Sequence, residues 1–401
     1  LGQRRFGVRR WRIDRGVRRA GSQSATMSNQ YDSVESLLQA RQPERPVYCI
    51  HPEVYRDVAE HFIANFPGRV LYAVKANNHP LVISALADGG IEHFDCASVE
   101  EVALIKSLQP DATCYLMNPV RLAGDARRAR NEFETRHFMV DHLSGIAPLV
   151  DEIDASQAII FARMAVSHHS AMEDLSAKFG APPDDVPAIL AAIRKTGAEP
   201  ALAFNVGTGV TEAEAYTYAM GLAREVLEAT PFPVRLLDIG GGFPRPYPGF
   251  LVPPLDEYFT AIRNFRHELP LDDDGELLAE PGRGLSAPGM STIAKVLLRK
   301  EDRLYLNDGM YGAFWELRFK GHVRYPARAL RGCEPLDGNL HSFRLFGPTC
   351  DSSDKMPGRV ELPADIDVGD YIEFGSMGAY SLSGLTRFNG FYSDDVVTIS
   401  P

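Results

Sequence analysis

From Val70 to Arg283, short apolar runs alternate with stretches of helical spacing. The runs Val70–Lys75, His93–Ala97, Thr113–Met117, His137–Val140, Ala158–Arg163, Ala201–Val206, Leu236–Ile239 and Leu277–Glu280 are predicted as strands. They are nearly continuous in apolar residues, as parallel strands covered on both faces are. The clearest helical stretch is Glu212–Ala229, where Tyr216, Ala219, Met220, Ala223, Val226 and Leu227 fall on one face. Thr211 followed by Glu214 reads as a capping box at its start. Strands that alternate with helices need right-handed crossovers. Eight such units in about 215 residues predict an α/β fold, a (β/α)8 TIM barrel.

After Ala294 the pattern changes. Strand-like runs at Lys295–Leu298, Leu304–Leu306, Ser342–Leu345 and Tyr371–Phe374 are separated by turn-rich pieces without helical period. This predicts a C-terminal β domain, of sandwich or barrel-like type, over residues 295–401. Pro46–Ile50 is also strand-like, so residues 27–64 are read as a segment contributing to that β domain, and 65–294 as the barrel. The longest irregular piece, Ala165–Asp185, is expected to be mobile.

Composition narrows the partners. The chain has 401 residues and a net charge of −11, but eight arginines and one acid crowd into residues 1–26. The acidic remainder argues against nucleic acid as a partner. The basic head precedes Met27 and has no apolar stretch of signal-peptide length. It reads as upstream, non-native or disordered sequence, with a transit peptide as the alternative. No run reaches the ~18 apolar residues of a membrane span. Five scattered cysteines form no C-x-x-C pair, which argues against a disulfide framework or a structural zinc and for a reducing cytoplasm. No metal is expected.

Active sites of such barrels sit at the C-terminal strand ends. The first barrel strand ends in Y-A-V-K-A-N, placing Lys75 at the mouth. Desolvation there would depress its pKa and make the amine a nucleophile; a lysine snorkelling to solvent is the bland alternative. The seventh ends in D-I-G-G-G-F-P, where Gly240, Gly241 and Gly242 suit an anion nest, although a triple glycine is often only a tight turn. The eighth ends in E-P-G-R. Arg283 suits a phosphate, and Glu280 a protonated heterocyclic nitrogen. In the β domain, G-P-T-C-D-S-S-D sets Cys350 and Asp351 in a turn, where a lone cysteine is more often a small buried hydrophobe. The loops N-D-G-M-Y-G-A-F and G-A-Y-S bring further tyrosines, Tyr311 and Tyr380 among them.

These motifs, with F-D-C-A-S-x-E-E and the terminal G-A-Y-x-x-x-x-x-T-x-F-N-G-F, stand in the order found in one family. From about Val47 to its end the chain resembles the fold-type III pyridoxal-phosphate decarboxylases, specifically the ornithine decarboxylase group with its diaminopimelate and arginine decarboxylase relatives. The resemblance implies an alanine-racemase-like barrel, a C-terminal β domain and a head-to-tail homodimer with shared sites. It implies pyridoxal 5'-phosphate as cofactor and a small amino acid as substrate, decarboxylated and then reprotonated. Carried over, Lys75 links the cofactor as an imine and Glu280 pairs with its ring nitrogen. Gly240, Gly241, Gly242, Gly282, Arg283 and Tyr380 bind phosphate, and Asp95 and Arg163 support the cofactor. Cys350, the proton donor, and Asp351, which grips a distal amine, come from the other subunit. Tyr311 is placed with the substrate.

Two positions depart from the family pattern. F-N-V-G-T-G has Asn205 where a cofactor-stacking histidine is usual, and Thr208 where a serine is. Six residues beyond Phe314 stands Lys320, where diamine-forming relatives tend to have an aspartate. The resemblance and Asp351 keep ornithine or lysine as the default substrate. An amino acid with an anionic or neutral distal group is the alternative, and a non-catalytic regulatory homologue a third reading.

Overall fold

The computed structural model describes residues 29–271, 274–318 and 323–400; the basic leader 1–26 and Lys320 lie outside the described residues. β1 (Gln30–Tyr31) and β2 (Val47–Ile50) come first. Then β3 (Arg69–Ala73), β4 (His93–Cys96), β5 (Thr113–Leu116), β6 (His137–Val140), β7 (Ile159–Met164), β8 (Glu199–Phe204), β9 (Leu236–Asp238) and β10 (Glu276–Ala279) close, in sequence order, into a parallel barrel. β10 returns to β3 through Leu278↔Arg69 and Ala279↔Val70. All eight predicted strands are present, with ends shifted by no more than two residues.

The two-residue period of each strand divides its side chains between two cores. Leu71, Tyr115, Met139, Phe161, Ala201, Leu236 and Leu278 fill the barrel interior. Val70 and Tyr72, on either side of Leu71, face the surrounding helices. The barrel is thus a packed plug, and the open ends of its strands are where a ligand can sit.

The helix Glu214–Ala229 buries the predicted apolar face. The capping box is not formed, because Ala213 occupies the cap. The Thr211 hydroxyl instead donates to the Ser170 carbonyl (3.1 Å) and so holds the Ala165–Asp185 insertion. The N-terminal segment serves both domains. Helix Pro52–Asn65 packs on the barrel, with Phe62 edge-to-face against Phe243 (5.0 Å) and Phe259 (4.8 Å). Residues 27–64 thus give β1 and β2 to the ten-stranded sheet and this helix to the barrel.

The β domain consists of β11 (Met290–Lys300), β12 (Arg303–Leu306), β13 (Ala327–Arg331), β14 (Glu334–Pro335), β15 (Leu340–Phe346), β16 (Val360–Pro363), β17 (Tyr371–Phe374) and β18 (Val396–Ile399), joined by β1 and β2 in a ten-stranded sheet. β11 is its spine. The first half pairs antiparallel with β2 and β17, the second with β12, and the register shifts between Val296 and Leu298. The strand bends there and lets one sheet curl around its own core. The short strands β13, β14, β16 and β18 are too brief and too mixed in polarity to show as sequence periodicity.

Candidate active site

The C-terminal ends of the barrel strands enclose a cavity of about 420 Å3, within the size range of small-molecule sites. Lys75, Asp95, Arg163, Asn205, Thr208, Gly241, Gly242, Glu280, Gly282, Arg283 and Tyr380 all line it. Gly240 does not. Its carbonyl accepts the Glu280 N–H (2.8 Å), so it sits behind the lining as a backbone tie.

Lys75 reaches the cavity through the turn Val74–Ala76, which ends β3. Val74 and Ala76 are buried on either side of it. The turn is clamped from the β domain, where Asn77 Nδ2 donates to the Gly378 carbonyl (2.9 Å) and the Tyr380 N–H to the Ala76 carbonyl (2.6 Å). The approach is close enough that any Cβ at Gly378 would overlap the Ser286 carbonyl oxygen. About half of the Lys75 side chain (49%) is uncovered, and it opens into the cavity. Its Nζ lies 3.0 Å from Asp95 Oδ2.

Burial alone would lower the Lys75 pKa, but the charges of Asp95 and Glu280 outweigh it and hold the ammonium above its ordinary value. The depression expected from desolvation is thus reversed by the two carboxylates. Glu280 itself is pushed well up by burial, then by Asp238 and Asp95. Asp238, buried behind it, is pushed up to about 7, again mainly by burial. Glu280 Oε1 and Asp238 Oδ2 are buried with no hydrogen-bond partner. Such orphaned acceptors are costly. Glu280 Oε1, at the cavity wall, fits a group that brings a ring N–H, as a pyridinium does.

The phosphate end differs from expectation. Arg283 is 4% exposed and forked onto Glu316, 5% exposed, from the β-domain turn Trp315–Arg318. Nη1 also donates to Tyr247 Oη (3.2 Å). Arg283 is thus already paired, leaving only Nε as a buried donor without a partner. Gly241 and Gly242 line the cavity, and their backbone runs so close to its neighbours that a Cβ would meet the Glu280 carbonyl (2.7 Å) or the Gly207 carbonyl (2.9 Å). One free donor and a glycine run fit a phosphate, with Glu316 opposing part of its charge.

Asn205 is held by its own loop, its Oδ1 accepting from the Gly207 N–H (3.0 Å). The rest of F-N-V-G-T-G docks the insertion. Thr208 pairs with Glu173 through backbone bonds, and a Cβ at Gly207 (φ +105°) would lie 2.6 Å from Ala171. A second bridge joins Met164 and Ala181. The piece expected to be mobile is thus tied at both ends, and Glu173, Asp174, Leu175, Ala177, Lys178 and Phe179 cover the cavity. The Arg163 guanidinium sits over the Phe179 ring (5.6 Å).

Cys350, Asp351 and Tyr311 are absent from this cavity lining. They form a separate patch. Cys350 is exposed, not a buried hydrophobe, and its N–H donates to Asn389 Oδ1 (3.2 Å). Tyr311 stacks on Phe388 (4.5 Å) and donates to Asp351. That bond, with those from Ser353, holds the Asp351 carboxyl below its usual range. The loop is built around buried Asp354, which accepts from the N–H groups of Met310 (2.7 Å) and Thr349 (3.0 Å). Asp354 closes the motif G-P-T-C-D-S-S-D, but Glu316 carries no signal in the sequence, because its meaning lies in a contact across domains.

Residues 53–287 match the model of the pyridoxal-dependent decarboxylase, pyridoxal binding domain. The chain belongs to the pyridoxal-dependent decarboxylase family. Antizyme inhibitor 2 of Xenopus laevis is 32% identical over 81% of this chain and 74% of its own length. The lysine/ornithine decarboxylase of Selenomonas ruminantium is 32% identical, covering 80% of this chain and 81% of that one. The crystal structure of lysine/ornithine decarboxylase from Vibrio vulnificus, complexed with putrescine, superposes with a TM-score of 0.79 at 28% identity, over 92% of this chain and 99% of that one. As expected for this family, the barrel carries the β domain behind it. Among the described residues no helix is long and apolar enough to cross a membrane.

Proposed function

We propose that this chain is a pyridoxal-phosphate-dependent L-amino-acid decarboxylase that takes ornithine or lysine. It acts as a cytoplasmic homodimer in which each site is completed by the other copy. The observation that carries the reading is Lys75, Asp95 and the unpartnered Glu280 meeting in one covered cavity.

When bound, the cofactor supplies an electron sink for the pair left behind as carbon dioxide departs. The residues of the chain do the rest. Lys75 Nζ would be the amine that holds the cofactor, and Asp95, 3.0 Å away, orients that amine and keeps a proton beside it. Glu280 Oε1 holds a proton at the ring nitrogen, where a carboxylate in a dry pocket has most effect. The N–H groups of Gly241 and Gly242 and Arg283 Nε receive the phosphate. The covering segment excludes water. Cys350 of the partner subunit delivers a proton from Sγ, and Asp351 of the partner subunit meets the distal ammonium. In support of sharing, the Cys350 loop is firmly built and exposed, yet Cys350 and Asp351 do not line the cavity that holds Lys75.

Carbon dioxide release from a panel of diamino, acidic and neutral amino acids tests the substrate. A diamino acid is expected to turn over fastest. Preference for an acidic or neutral one moves the assignment to the alternative that Lys320 motivates. No release from any, with borohydride still fixing cofactor onto Lys75, gives the non-catalytic reading in keeping with the antizyme inhibitor relative. The covalent label should map to Lys75 alone, and Lys75→Ala should lose both label and turnover.

A further inference from the structure

The covering segment carries a set of donors that the decarboxylation does not use. His168, His169 and Glu212 each present one ligand atom, and the three atoms lie within 4.8 Å of one another. The histidines belong to the segment; Glu212 belongs to the loop that leads into helix Glu214–Ala229. The two loops are already joined, since the Thr211 N–H (3.0 Å) and hydroxyl (3.1 Å) both donate to the Ser170 carbonyl. Ser170 is buried, and its Oγ lies 2.8 Å from His168 Nδ1 and holds that ring. His169 Nε2 lies 3.2 Å from Glu212 Oε2.

An ion pair explains one of these histidines but not both. The two rings are 4.4 Å apart. A single exposed carboxylate contributes little to either ring. Two neutral imidazoles and one carboxylate, without a thiolate, are instead the donor set of zinc and of neighbouring divalent ions such as nickel and copper. Because two donors stand four to five residues from Glu173, which lines the cavity, a bound ion ties the cover to the barrel.

We infer that His168, His169 and Glu212 form a divalent transition-metal site of the zinc class, which staples the segment over the active-site cavity. The site stands apart from the decarboxylase reading, because metal binding is measured without turnover.

Zinc ion is titrated into the cofactor-loaded protein by calorimetry, in wild type, His168→Ala and His169→Ala. Any zinc held by the thiols of Cys333 or Cys350 is common to all three and cancels. Wild type is expected to take up one equivalent per chain more than either substituted protein. Losing a ligand should weaken binding by about tenfold or more, no less than losing an outer-shell partner does. Glu212→Gln, on an exposed loop, repeats the test should a histidine substitution prevent folding. Cleavage by trypsin after the exposed Lys178 should slow severalfold on adding zinc to wild type and not to His169→Ala. Identical titrations in wild type and every substituted protein that folds overturn the site. Zinc binding with no change in the cleavage rate overturns the staple.

Discussion

Replacing Glu316 should make the cofactor-free protein weaker and its grip on the cofactor tighter. Arg283 and Glu316 are both almost fully buried and share a forked pair. Burial by itself would lower the Arg283 pKa; Tyr247 and Glu316 reverse that and hold it well above its ordinary value. Removing one member of such a pair leaves a buried charge without compensation, a loss of about 3–5 kcal/mol. Glu316→Gln keeps the shape and one acceptor, so it should sit at the low end, and Glu316→Ala at the high end. The same change frees the Arg283 fork for a phosphate. At an effective dielectric of about 20, unit charges 4 Å apart interact by roughly 4 kcal/mol, and solvation of the freed guanidinium offsets much of this. A net gain of about 1.4 kcal/mol, a tenfold lower Kd, is the expectation. Thermal unfolding of the cofactor-free protein measures the first effect, and absorbance titration with pyridoxal 5'-phosphate the second. A substituted protein that melts with wild type, or one that binds the cofactor no more tightly, refutes the argument that Glu316 restrains Arg283.

Three further outcomes are expected. Mixing inactive Lys75→Ala and Cys350→Ala subunits should restore about a quarter of wild-type activity, because half the dimers are hybrids and each has one intact site; no recovery despite subunit exchange puts Cys350 outside the site. Asp238 has its pKa raised from 3.8 to about 7, so the fold favours its neutral form. Stability of the cofactor-free protein should then be greatest below about pH 4 as far as this group is concerned, and fall as pH rises towards 7. Asp238→Asn, which keeps an acceptor for the Gly240 N–H, should flatten that slope in denaturant titrations; an unchanged slope assigns it elsewhere. Lys320→Asp should raise kcat/KM for ornithine or lysine relative to acidic and neutral amino acids, by exchanging a repulsive charge for an attractive one. An unchanged ratio removes Lys320 from the substrate pocket and leaves the diamino acid default standing.

The sequence by itself determined the barrel, most of its lining and the cofactor. Parallel strands buried on both faces must be written as apolar runs, so all eight barrel strands were legible within two residues. Residues that meet a ligand at the strand ends interrupt those runs with lysine, glutamate and glycine, so Lys75, Glu280 and Gly241 stand out, while Asp95 enters only through the family resemblance. Only the tertiary structure decided the electrostatics. The Lys75 ammonium is held up rather than down because β4 sets Asp95 beside it and β10 sets Glu280 nearby. Arg283 is already engaged because a turn of another domain delivers Glu316. The helix Pro52–Asn65 belongs with the barrel through Phe62, and Thr211 directs its hydroxyl to Ser170 instead of a helix cap. In each case the deciding partner is distant along the chain. Periodicity records which face a residue turns to the core, and it carries no record of which charge waits there.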